Sequence, residues 1–189
     1  MSEPIICEVT RGNMIESRHR VHVVVVDADG RTVFSRGDPE LLIYPRSAIK
    51  SMQALPLIES GAADAFGMAE PELALSAASH SGAPDHVAAV SAWLGRLGLD
   101  ADALGCGAHL PYDERAAADL IRAGTPPTRL NNNCSGKHTG FLATARHLGE
   151  PIKDYLDPEH PVQKRLYEIL VEFGGSDLAG TGRGIDGCG

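Results

Sequence analysis

The sequence predicts an α+β protein in which helices pack on an antiparallel sheet. Two observations carry this. The first thirty-odd residues are rich in β-branched residues broken by turn chemistry, and the remainder is Ala-rich with helical spacing of its apolar positions. A third is size: 189 residues, 43% hydrophobic and 22% charged, suit a globular domain that buries roughly 70% of its unfolded surface.

Residues Ile5 to Thr10 read as a strand, followed by a turn at Gly12-Asn13. Val21 to Val26 is a run with little polar alternation, so burial on both of its faces is expected. Asp27-Ala28-Asp29-Gly30 supplies the next turn, and Thr32-Val33-Phe34 resumes the strand, giving an antiparallel hairpin. Leu41 to Tyr44 is a short apolar run closed by Pro45. A helix opening near Arg46-Ser47 carries Ile49, Met52 and Leu55, with Pro56 expected to kink or end it. Further helices are expected at about 71–78, 85–97, 113–123, 137–148 and 161–173.

Charge and hydropathy exclude several functions. There are 17 Lys+Arg against 25 Asp+Glu, a net of −8, and the longest basic cluster is Arg18-His19-Arg20. Such a chain is a poor partner for phosphate backbones, so no nucleic acid is expected. No run approaches the roughly 18 apolar residues of a membrane span, and Met1-Ser2-Glu3-Pro4 does not open a secretory signal. The four cysteines, Cys7, Cys106, Cys134 and Cys188, are widely and irregularly spaced. That argues for free thiols, metal ligands or a nucleophile over a disulfide framework, and for a cytoplasmic location.

Four segments carry chemistry. Ser47-Ala48-Ile49-Lys50 is an S-x-x-K element, which on a helix puts the amine within reach of the hydroxyl. A serine becomes a strong nucleophile when a base takes its proton. A lysine is that base only as the neutral amine, a form that burial or a neighbouring cation favours, and Arg46 and the apolar run before it are the candidates. A solvated helix turn is the alternative. Ser79-His80-Ser81-Gly82 is either a site loop or an ordinary helix C-cap with Gly82 in the left-handed position.

Asn131 to Gly140 is the most informative segment: ten polar, small or reactive residues before an apolar helix resumes at Phe141. It fails as a P-loop, which needs Gly in place of Asn131 and Ser or Thr in place of His138. Cys134 and Lys137 lie three apart, and Cys134 with Cys188 offers half of a tetrahedral zinc site. An inert buried cysteine in a turn is the alternative. Gly182 to Gly187 matches G-x-G-x-x-G literally. No strand–turn–helix context surrounds it, which rejects a dinucleotide site.

Taken in order, these segments resemble one family. They are Arg11-Gly12 through His19, Tyr44 to Lys50, Ala78 to Gly82, Asn132 to His138, His160 to Gln163, and Gly184 to Gly189. Over nearly the whole chain they look like the Rhizobium etli-type L-asparaginases, the asparaginase II or class 3 family. The resemblance implies a fold similar to serine β-lactamases, penicillin-binding proteins and glutaminases, and hydrolysis of L-asparagine to L-aspartate and ammonia. Ser47 would be the nucleophile, Lys50 its base and Ser79 the second active-site serine. Arg46, His138 and Asp186 would bind substrate. Cys134, Lys137 and Cys188 would hold zinc, and the complete protein would be a homodimer.

Two departures from the pattern stand out. Ala83 occupies a place where members commonly carry an acidic residue. Members are also nearly twice as long. The expectation is therefore that residues 1–189 are the N-terminal portion of one asparaginase II-type domain, without a separate second domain and with an incomplete sheet. The lysine that pairs with the second serine would then lie beyond Gly189, and the activity of these residues alone is expected to be low. Competing functions are a β-lactamase- or glutaminase-like acyl-transfer enzyme and a non-catalytic zinc-binding fragment. The first lacks an ordered S-x-N and K-T-G, Lys137 to Gly140 being a near miss.

Overall fold

The computed structural model describes residues 2–175 and 177–184. The chain is of mixed α+β type and divides into two compact units, Met1–Tyr44 and Pro45–Gly189.

The first unit is built from two antiparallel ribbons. Strands β1 (Ile5–Arg11) and β2 (Met14–Val21) pair in one, turning at Gly12, whose φ of 59° is left-handed. Strands β3 (Val23–Val26) and β4 (Thr32–Arg36) pair in the other. The second turn is held by Asp27, whose carboxylate accepts from the N–H groups of Asp29 and Arg31. This corrects the expected single hairpin. The valine run is split at His22 between β2 and β3, and Met14 to Val21 is itself a strand in which charged and polar residues separate Met14 and Ile15 from Val21. Burial of the valine run on both faces is also overturned: Val24, Val25 and Val26 are exposed. A run without alternation reports strand preference, whereas burial needs a layer on each face.

The second unit is helical. A 3-10 turn at Arg46–Ile49 leads into α1 (Lys50–Glu59). Pro56 lies inside α1 and does not end it, which leaves only the kink of the two expected outcomes, and the Ser60 N–H closes on the Pro56 carbonyl at 3.1 Å. The short α2 (Ala62–Ala65) follows, then α3 (Glu70–Ser76), α4 (Pro84–Arg96), α5 (Glu114–Ala123), α6 (Ser135–Leu148) and α7 (Pro161–Gly174). Their starts are chemically marked. Glu72 accepts from the Ala69 N–H at the head of α3, Asp113 from Ala116 N–H at α5, and His160 Nδ1 from Val162 N–H at α7.

Helix α6 is the centre of this unit. Every residue from Ser135 to Ala145 is buried, and α1, α3, α4 and α7 all pack on it. The core joins Leu57, Leu75, Val90, Trp93, Leu94, Phe141, Leu142, Val162 and Leu166. Among the described residues no helix is long and apolar enough to cross a membrane.

Candidate active site

The start of α1, the loop after α3 and the start of α6 converge on one lysine. Lys50 is the first residue of α1 and only 3% exposed. Its Nζ donates to Ala78 O at 3.0 Å, Ser79 Oγ at 2.6 Å and Cys134 Sγ at 3.1 Å. A neutral amine can also satisfy three such partners, donating its two protons to Ala78 O and Cys134 Sγ and accepting from the Ser79 hydroxyl. Ser79 Oγ in turn lies 3.0 Å from Ser47 Oγ. The four side chains therefore form a line, Ser47–Ser79–Lys50–Cys134, with Ser47 at the exposed end and Cys134 buried. Lys50 thus meets Ser47 through Ser79.

Arg46, immediately before Ser47, is exposed and has a φ of 48°, left-handed backbone that a long side chain rarely adopts. Backbone strain of this kind clusters at active sites, ligand clamps and switch regions.

The Ser79 loop is not a helix cap. Helix α3 ends at Ser76, and Gly82, φ 73°, lies well past it. A Cβ on Gly82 would come within 2.8 Å of Asn131 O, so this loop is pressed against the Asn-rich segment. That segment is ordered by its own side chains. Asn132 is buried, donating to Gly107 O and accepting from Cys134 N–H, while Asn133 N–H donates to His109 Nε2.

His80 is the residue that motif reasoning passed over. It is buried, and its ring spans Gly82 and Ser135. Desolvation pushes its pKa down from 6.5 to about 4, helped by His86, then Lys50 and His109. The signal that could have found it is its place inside the polar Ser-His-Ser-Gly run.

His138 is wholly buried in α6, with Nδ1 2.7 Å from the Tyr155 hydroxyl, which also accepts from Gly105 N–H. Burial raises the pKa of Tyr155, keeping that hydroxyl protonated and able to donate. Lys137 is buried one turn along α6 from Cys134, with its Nζ 5.7 Å from the Phe141 ring centre. Asp186 and Cys188 lie outside the described residues. Among the described residues no group of three His, Cys, Asp or Glu side chains could hold a metal.

The family model for L-asparaginase II matches residues 7–189. The chain belongs to the L-asparaginase II family. No curated protein matches significantly. Membership makes the chain an asparaginase-type amidohydrolase acting on a small-molecule substrate. The match spans both the Ser47–Lys50 element and the Asn-rich segment, so the cluster around Lys50 lies within the region that defines this asparaginase II family member.

Proposed function

We propose that the protein hydrolyses L-asparagine to L-aspartate and ammonia, with Ser47 as nucleophile and Lys50 as the base acting through Ser79. The observation that carries this is the line of hydrogen-bonded groups, with steps of 3.0 Å from Ser47 to Ser79 and 2.6 Å from Ser79 to Lys50. Both are within the reach that proton transfer requires. Ser47 Oγ attacks the side-chain amide carbon, and its proton passes to Ser79 as the Ser79 proton passes to the neutral Lys50 amine. The C–N bond breaks, and the proton returns along the same line to the leaving nitrogen, which departs as ammonia. Water then attacks the Ser47 ester, delivering its proton the same way, and aspartate leaves. The reading carries a fold similar to serine β-lactamases, supported by an S-x-x-K element opening a helix in an α+β chain.

Zinc belongs to the same proposal. Cys134 and Lys137 are buried donors at the start of α6, and a thiolate with an amine nitrogen suits a borderline-soft cation. With Cys188 they would hold the metal, and Asp186, Arg46 and His138 would serve the substrate. When bound, zinc would supply a fixed positive charge at the edge of the site. One zinc per chain is expected in protein purified at neutral pH, and its loss in the Cys134→Ser/Cys188→Ser double variant, by elemental analysis. A cytoplasmic location, argued from the cysteine spacing, and a homodimer, implied by the resemblance, complete the proposal.

The deciding experiment is ammonia release from asparagine, with glutamine and a penicillin reporter as competitors. Ser47→Ala is expected to lose several orders of magnitude in kcat while keeping its circular dichroism. Ammonia release near the wild-type rate in that variant removes Ser47 from the nucleophile role.

A further inference from the structure

We propose that His80 is a positioning residue that locks Ser79 against the Asn-rich segment and so keeps Ser47, Ser79 and Lys50 in line. This rests on the proton path of the preceding subsection. His80 follows Ser79 directly and is tied at three points. Its backbone N–H donates to Asn133 O at 3.0 Å. Its Nδ1 accepts from Gly82 N–H at 3.1 Å, and its Nε2 lies 2.9 Å from Ser135 Oγ. Because Gly82 N–H can only donate, Nδ1 is the acceptor and the ring proton sits on Nε2. Ser135 Oγ accepts from that N–H and donates its own O–H to Leu130 O at 3.0 Å. Every donor in this network has an acceptor when the imidazole is neutral, and the burial that depresses its pKa to about 4 keeps it so.

The two anchors chosen by His80 decide what it does. Asn133 and Ser135 flank Cys134, and the Cys134 sulfur touches Lys50 Nζ. His80 therefore fixes the spacing between the segment bearing Ser79 and the segment bearing Cys134, and Lys50 bridges that gap by donating to both. Its ring makes no contact with Ser47 or Lys50 among the hydrogen bonds of the site, so it acts through Ser79. A shift of about 1 Å in a proton-transfer path can cost on the order of 100-fold in rate.

The test is steady-state ammonia release by wild type, Ser47→Ala, His80→Ala, His80→Gln and Ser135→Ala, with kcat normalised to folded protein by near-ultraviolet circular dichroism. His80→Ala is expected to lower kcat about 10- to 100-fold with KM within about threefold of wild type. His80→Gln, whose side-chain amide can replace the Nε2–H donor, should recover most of that loss. A merely structural role lowers the folded fraction and leaves kcat per folded molecule intact. His80→Ala with kcat within about twofold of wild type, or His80→Gln as impaired as His80→Ala, overturns the inference. Should His80→Ala fail to fold, Ser135→Ala decides: a kcat loss of about fivefold or more supports the inference, and an unchanged kcat overturns it. Wild-type rates in Ser47→Ala sink the proton path itself, whereas an inactive Ser47→Ala beside an unimpaired His80→Ala sinks only the role of His80.

Discussion

At the scale of single residues, His80 makes stability depend on pH in a defined direction. Its imidazole titrates near 6.5 in the unfolded chain and near 4 in the folded one, because burial and then His86, Lys50 and His109 disfavour the charged form. Between those values the unfolded chain binds more protons, so stability falls as pH drops from about 6.5 to 4 and levels off below. The His80 contribution is on the order of 2–3 kcal/mol. Urea midpoints at pH 7 and pH 4.5 are expected to differ less in His80→Gln than in wild type, and identical differences would assign the pH dependence to other groups. The residues of the proposed site stand out in the sequence. Ser47 and Lys50 share a spacing, and Cys134 and Lys137 stand out inside an Asn-rich run. The contact of Lys50 with Cys134, across 84 positions, does not, because no local pattern encodes which helix start meets which loop.

At the scale of elements, the crossing of α6 over α3 is set by a glycine. A Cβ on Gly136 would fall 2.5 Å from Leu75 O, a backbone atom that cannot swing away. A Cβ on Gly140, one turn later, would meet Ser76 Cβ at 3.4 Å, an ordinary contact. Gly136→Ala is therefore expected to force α6 off α3 and to cost about 2–4 kcal/mol by chemical denaturation. It should also lower activity, since Cys134 immediately precedes α6 and the chain after α3 carries Ser79. Gly140→Ala should lie between neutral and about 1 kcal/mol stabilising, because alanine favours the helix. Equal effects of the two substitutions would show that this crossing is not as tight as the geometry requires. The helices from α3 onward were legible because their apolar positions repeat. The strand β2 was not, since it carries Glu16, Arg18 and Arg20 between its few apolar residues and resembles a solvated segment. A proline removes only its own N–H donor and its carbonyl still accepts from Ser60, so α1 runs past Pro56 to Glu59.

At the scale of the molecule, composition announced one domain-sized chain, and no linker of Gly, Ser or Pro marked the division at Tyr44. What composition could not show is that the seven α-helices of the described residues all fall within residues 45–189, and that all of them but α5 contribute to one continuous core. Trp93 is the single tryptophan of the chain and is wholly buried in that core. Its fluorescence therefore reports on the helical unit alone, and so does the helical signal in far-ultraviolet circular dichroism. If the core is continuous, the two probes must melt together. Leu142, 0% exposed on α6, tests the point from the middle of the core. Replacing it with alanine removes three carbons and leaves a cavity, at a cost of about 2–5 kcal/mol. For a chain of this size each kcal/mol moves the melting temperature by about 2–4 °C. Leu142→Ala is thus expected to lower both midpoints by the same amount. A variant in which the helical signal melts early while Trp93 emission holds its wild-type midpoint would mean that α6 and α4 belong to separately melting pieces, and that α6 does not hold the unit together.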